Sequence, residues 1–199
     1  AAFTLRPANR REDSARNKGA GRPGCNRGMK CRDWPSRAHM ARPLLETKMD
    51  HLNIAAPLLA ALSTRGYETL TAVQEAVLAD GTEGRDMLVS AQTGSGKTVA
   101  FGLAIAPEIL GGSDRLLYAD TPLALVIAPT RELAQQVARE LEWLYAAAGA
   151  KIATCVGGMD YRAEKRVLDR GAHIVVGTPG RLRDHIERKS LDLSALQVA

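Results

Sequence analysis

Leu123-Ala124-Leu125-Val126-Ile127-Ala128 is apolar at every position. A strand points successive side chains to opposite faces, so six apolar residues in a row demand cover on both sides of a sheet. Shorter, mostly apolar runs recur at Met87 to Val89, Ile152 to Val156 and His173 to Val176. Between them lie segments with helical spacing: Lys97 to Leu110, ending at Gly111 and Gly112, then a long helix striped by Leu133, Val137, Leu141 and Leu144, then Tyr161 to Leu168 and Leu182 to Ile186. Two further helices, Ile54 to Leu62 and Ala72 to Leu78, stop near Gly66 and Gly81. Apolar strands alternating with amphipathic helices require a parallel sheet covered on both faces, so the expected fold class is α/β, in three layers, with a mostly parallel sheet. No repeat of fixed period is visible.

Charge divides the chain in two. Residues 1–48 carry nine Arg and three Lys against four acids, a net charge of +8, while residues 49–199 carry 15 basic and 18 acidic residues, a net −3. The first part has no Val and no Ile, and its Gly19, Gly21, Pro23, Gly24, Gly28, Pro35 and Pro43 interrupt any pattern. Such a segment buries too little apolar surface to offset chain entropy and is expected to be disordered. Three readings of it stand side by side: an arm binding nucleic-acid phosphates, a solvated linker, or residues outside the natively translated protein, since the composition changes abruptly near Met49. Cys25, Cys31 and Cys155 are odd in number and lack zinc spacing, so neither disulfides nor structural zinc are expected. Without an apolar run of membrane-spanning length or a secretory signal, the chain is read as soluble and cytoplasmic.

The chemistry begins where the first strand ends. Ala91-Gln92-Thr93-Gly94-Ser95-Gly96-Lys97-Thr98 joins that strand to a helix, the context a phosphate-binding loop needs. Gly94 and Gly96 let the backbone turn its N–H groups inward, and the helix N-terminus adds a favourable dipole. Lys97 would reach the β- and γ-phosphates, and Thr98 would hold Mg²⁺ through ATP. Ala91 stands where the general pattern has Gly.

Other motifs surround this loop. Gly66-Tyr67-Glu68-Thr69-Leu70-Thr71-Ala72-Val73-Gln74 precedes it, and Pro129-Thr130-Arg131-Glu132-Leu133-Ala134, Gly157-Gly158 and Thr178-Pro179-Gly180-Arg181 follow in that order. With these motifs the chain from about Met49 onward resembles the first RecA-like domain of a DEAD-box ATP-dependent RNA helicase, of bacterial type from segments such as Leu141-Glu142-Trp143-Leu144-Tyr145. The segment ending at Gln74 corresponds to that family's adenine-reading Q motif. A glutamine amide offers one acceptor and two donors, matching the N6 and N7 edge of adenine, which selects ATP over GTP. Tyr67 has two readings, a ring stacked on the base or a plain core residue.

The resemblance further implies that Pro129, Thr130, Arg131, Gly158, Thr178, Pro179, Gly180 and Arg181 contact the backbone of single-stranded or short duplex RNA. Arg131 and Thr178 each follow an apolar strand directly, and ligand crevices of α/β sheets form at carboxyl strand ends. Thr130 and Thr178 also suit helix caps, and Pro179 a first helical turn. His173 reads as a hydrogen-bonded core histidine and Cys155 as a small core residue. In the family, the strand after Leu196 carries Asp-Glu-Ala-Asp, whose acids hold Mg²⁺ and orient the attacking water, and a second RecA-like domain supplies an arginine finger. The sequence ends at Ala199 ahead of that strand, so this polypeptide alone is expected to bind ATP without hydrolysing it and to be poorly stable. Two alternatives stay open: a module that binds ATP or RNA and never hydrolyses, and another P-loop NTPase such as a nucleotide kinase or DNA helicase.

Overall fold

A computed structural model describes residues 2–5, 53–82, 84–118 and 120–199. The apolar runs form strands β2 (Met87–Ser90), β3 (Ala124–Ile127), β4 (Ile152–Cys155) and β5 (Ile174–Gly177), preceded by β1 (Ala2–Leu5). The helices are α1 (Ala56–Thr64), α2 (Ala72–Val77), α3 (Lys97–Ala104), α4 (Ala106–Leu110), α5 (Arg131–Leu144), α6 (Tyr161–Asp169) and α7 (Pro179–Glu187). None of the described helices is long and apolar enough to cross a membrane.

β3, β5 and β4 form a parallel sheet in that order, with Ile127, Gly177 and Cys155 in register at its carboxyl edge. β5 lies in the centre and is buried at all four positions, as its unbroken apolar sequence requires. Alternate residues feed two cores. Ala124, Ile174 and Val176 pack with Leu58, Leu103, Leu141 and Leu144 beneath α1, α3 and α5. Leu125, Val175, Ala153 and Cys155 face the other way, onto Leu168 of α6 and Leu182 of α7. The three-layer α/β expectation holds.

Three details depart from the sequence reading. The single helix expected over Lys97 to Leu110 is two, because Pro107 has no N–H to donate to Leu103; the chain pauses at Ile105, φ −86° and ψ −9°, and restarts. Among the described residues, the strand leading into the phosphate loop does not bond to the parallel sheet. β2 pairs antiparallel with β1, Ala2 opposite Ser90 and Leu5 opposite Met87. Residues 1–48 are expected to be disordered, and the part of them that is described, Ala2–Leu5, is a strand: Ala-Phe-Thr-Leu precedes the first chain breaker, Pro7, and suits an extended edge. The rest of that expectation, and Met49, lie outside the described residues. On the free edge of β3, Val198 donates to Leu123 O at 3.2 Å and accepts from Leu125 N–H at 3.0 Å, opening a further parallel pairing with Ala124. Val198 and Met87 line one narrow cleft together with Ile105, so this last segment stands on the β2 side of β3.

Candidate functional site

The phosphate loop is built as its glycines allow. Gly94 and Gly96 both take left-handed backbone, φ 81° and 80°, and Gly96 caps α3, accepting the Ala100 N–H at 3.0 Å. The loop is exposed across Gln92, Thr93 and Gly94 and half-buried at Ala91, Ser95, Gly96, Lys97 and Thr98. Lys97 and Thr98 open α3, where the first N–H groups of a helix have no partners within it. Lys97 Nζ folds back over the loop, donating to Ala91 O at 2.7 Å and to Gln92 O. Ser95 Oγ is buried with no hydrogen-bond partner among the described residues. An ammonium resting on loop carbonyls, an orphaned hydroxyl and a helix start with free donors are what a polyphosphate would satisfy.

The segment before the loop is fastened to it. Thr71 Oγ1 donates to Ser95 O at 2.9 Å, and Gln74 Nε2 donates to Gly96 O at 3.3 Å while Gln74 Oε1 accepts the Thr71 N–H at 2.9 Å. Gln74 is fully buried, so in this structure its amide joins α2 to the loop and does not present an edge to a base. Tyr67 is half-buried, its ring against Trp143 of α5 with centroids 6.1 Å apart, and Arg65 lies over the same indole.

The other candidate residues fall together at the carboxyl ends of β3, β4 and β5. Because those strands end in register, the turns after them lie side by side, held by Ala128 N–H to Gly177 O at 2.9 Å and Thr178 N–H to Cys155 O at 3.0 Å. After β3, Pro129, Thr130 and Arg131 are exposed, and Thr130 caps α5 by accepting the Leu133 N–H at 3.3 Å. Arg131 Nη1 donates to Gly157 O at 2.7 Å in the neighbouring turn. Gly158 has φ 82°, and a Cβ there would sit 1.9 Å from Arg131 Nη1, so glycine is what lets the arginine approach. After β5, Thr178 takes the N-cap position without a side-chain cap bond, and Pro179 and Gly180 are exposed in the first turn of α7.

Arg181 is the exception among the RNA candidates. Its side chain is 14% exposed and turns inward, Nε donating to Glu164 Oε2 at 2.7 Å and Nη2 to Met159 O at 2.6 Å. Glu164 and His185, neither singled out from the sequence, meet behind the turns at 2.9 Å. The available signal was positional: Glu164 and Leu168 share the buried face of α6 at i and i+4, as Leu182 and His185 do on α7 at i and i+3. Burial pushes the Cys155 thiol up to about 12, helped by the Glu164 carboxylate and opposed by Arg181. His173 is a satisfied core histidine, Nδ1 accepting from Lys151 N–H at 2.9 Å and Nε2 paired with Leu117 O.

Comparison with known proteins bears on the family and the fold. The family model "DEAD/DEAH box helicase" matches residues 71–199. The ATP-dependent RNA helicase DeaD of Klebsiella pneumoniae is 45% identical over 152 residues, covering 76% of this chain and 23% of that protein. The DEAD-box ATP-dependent RNA helicase CshA of Streptococcus pneumoniae is 43% identical over 150 residues, 75% of this chain and 28% of the relative. The chain thus spans about a quarter of the length of these curated relatives. Among solved structures, the yeast DEAD-box splicing factor Prp28 superposes with a TM-score of 0.64 at 30% identity, over 72% of this chain and 35% of that one. A DEAD box protein from Methanococcus jannaschii gives 0.58 at 33% identity, over 73% and 38%.

Proposed function

The chain belongs to the DEAD/DEAH box helicase family, and from that membership we propose that it is the ATP- and RNA-binding portion of a cytoplasmic ATP-dependent RNA helicase. In this reading residues 49–199 form the nucleotide-binding unit, whose β2 also pairs with Ala2–Leu5. ATP sits on Ala91 to Thr98, its phosphates taking the loop N–H groups, Ser95 Oγ and Lys97 Nζ in place of the internal carbonyl contacts. Thr98 would hold Mg²⁺ through the nucleotide, where the ion would supply positive charge against the phosphates. Gln74 serves the site from the seam between α2 and the loop; pairing with adenine requires Nε2 to leave Gly96 O. RNA runs across Pro129, Thr130, Arg131, Gly158, Thr178, Pro179 and Gly180, whose exposed backbone and helix N-termini suit phosphate and sugar contacts and carry no base code. A second RecA-like domain would close over both ligands in the intact protein, coupling hydrolysis to local strand separation.

The observation that supports this reading best is the Ser95 hydroxyl, unpartnered among the described residues, beside a lysine that rests on loop carbonyls at the start of a helix. Titration of the purified chain with a fluorescent ATP analogue and Mg²⁺ tests it. Saturable binding is expected, competed by ATP more than by GTP and weakened at least about tenfold, roughly 1.4 kcal/mol, by Lys97→Ala. Equal binding by the Lys97→Ala chain would remove the nucleotide from this loop.

A further inference from the structure

Glu164 is 6% exposed and has no place among the contacts proposed for either ligand. Its Oε1 accepts the Val156 N–H at 2.9 Å; its Oε2 accepts from Arg181 Nε at 2.7 Å and lies 2.9 Å from His185 Nε2. Val156 leads into the Gly157-Gly158 turn, and Arg181 stands in the first turn of α7 behind Thr178. One carboxylate therefore ties together two of the three turns at the sheet's carboxyl edge. The third is tied by Arg131 Nη1 on Gly157 O. Three nitrogens converge on two oxygens, an arrangement only an anion serves in full: an amide would turn its NH₂ toward a guanidinium or leave the Val156 N–H unpaired. Arg181 is equally committed, with Nη2 on Met159 O at 2.6 Å and its plane 5.3 Å above the Tyr161 ring.

Cys155, Glu164 and His185 place ligand atoms within 4.8 Å of one another. They do not make a cation site, because the carboxylate oxygen nearest the imidazole already holds the Arg181 guanidinium. The cluster is a clasp. Resting on the RNA reading above, we infer that Glu164 is a positioning residue for RNA binding: it sets the spacing between the Gly157-Gly158 turn and the N-terminus of α7, and Arg181 acts inside the protein as its partner and does not contact phosphate.

The test uses the full chain and a fluorescein-labelled oligouridine, with anisotropy titrations at several salt concentrations. Each phosphate ion pair on single strands contributes about 0.7 to the slope of log K against log salt. Glu164→Gln is expected to weaken RNA binding about tenfold with the slope unchanged and the ATP-analogue affinity unchanged. Undiminished RNA affinity in Glu164→Gln overturns the inference. Arg181→Lys decides the matter even where Glu164→Gln does not fold. A lysine keeps a phosphate contact as a point charge but loses the planar fork, so the clasp predicts about tenfold loss at constant slope, and retained affinity overturns it. Failure of the wild-type chain to bind RNA is a different result: it removes the RNA reading itself, and this inference with it.

Discussion

At Gly96 one added methyl group would act twice. The backbone is left-handed at φ 80°, and the new Cβ would lie 2.5 Å from Gln74 Nε2, the atom that fastens α2 to the phosphate loop. Gly96→Ala is expected to cost about 1–3 kcal/mol of stability and at least about tenfold in ATP-analogue affinity. Denaturant unfolding and nucleotide titration check both, and near-normal values in each would show that the seam does not depend on this contact. Cys155 gives a pH prediction. Its thiol, fully buried, titrates near 12 when folded against 9.0 in the open chain, so between those values the unfolded state has lost a proton that the folded state keeps. Stability then falls as pH rises, by roughly 1.4 kcal/mol per unit above pH 9 from this group alone, and is unaffected well below 9. Urea midpoints at about pH 8 and pH 10 should therefore separate more in the wild type than in Cys155→Ala. Other alkaline groups, the buried Tyr145 phenol included, are common to both chains and drop out of the comparison. Equal separation would mean that the thiol ionises as readily in the folded protein as in the open chain.

The approach of α3 to α5 is set by a glycine. A Cβ at Gly102 would lie 2.7 Å from Leu144 Cδ2 and 3.1 Å from Leu141 Cδ2, while the buried Tyr145 hydroxyl donates to Gly102 O at 2.7 Å. Gly102→Ala should destabilise by about 1–3 kcal/mol through overpacking, and Tyr145→Phe by about 1 kcal/mol through the lost hydrogen bond. A chemical-denaturation midpoint for each reads this out, and a stabilised Gly102→Ala, as helix propensity alone would give, would show that the helices can move apart. These same elements show what the sequence made legible. β3 and β5 are legible because residues buried on both faces must be apolar throughout, and the Thr130 cap because a β-region residue before an amphipathic stripe has few other roles. The break at Ile105 is readable from Pro107, although the apolar period runs on at either side of it. The packing of the Tyr67 ring is not legible locally because its neighbour, Trp143, is supplied by a distant helix. Glu164 was hidden for a related reason: α6 reads as a polar surface helix, and nothing local says that Arg181 and His185 will converge on one of its acids. The turns at the strand ends were legible as motifs, whereas the ties between them are tertiary and belong to no single element.

At the scale of the whole molecule, two strands leave large apolar side chains open among the described residues. Every residue of β5 is buried, yet Ile127 at the end of β3 is 57% exposed and Leu88 in β2 is 77% exposed. Val198 pairs only with the start of β3, at Ala124, so the backbone beyond it presents an edge with an apolar side chain at Ile127. Open apolar edges template pairing with other chains. The 199-residue chain is therefore expected to self-associate with rising concentration, and the pair of changes Leu88→Thr and Ile127→Thr should suppress this. Threonine keeps strand propensity while removing apolar surface, so the fold and the ATP-analogue affinity should persist. Sedimentation velocity over about a hundredfold range of concentration is the measurement. A wild-type coefficient that stays constant over that range would show that residues outside those described cover both edges; a concentration-dependent coefficient that the double substitution leaves unchanged would place the association elsewhere on the surface. If the substitutions restore a constant coefficient, the same two positions mark where the parallel sheet accepts another strand, beside β3 and against the strand that carries the phosphate loop.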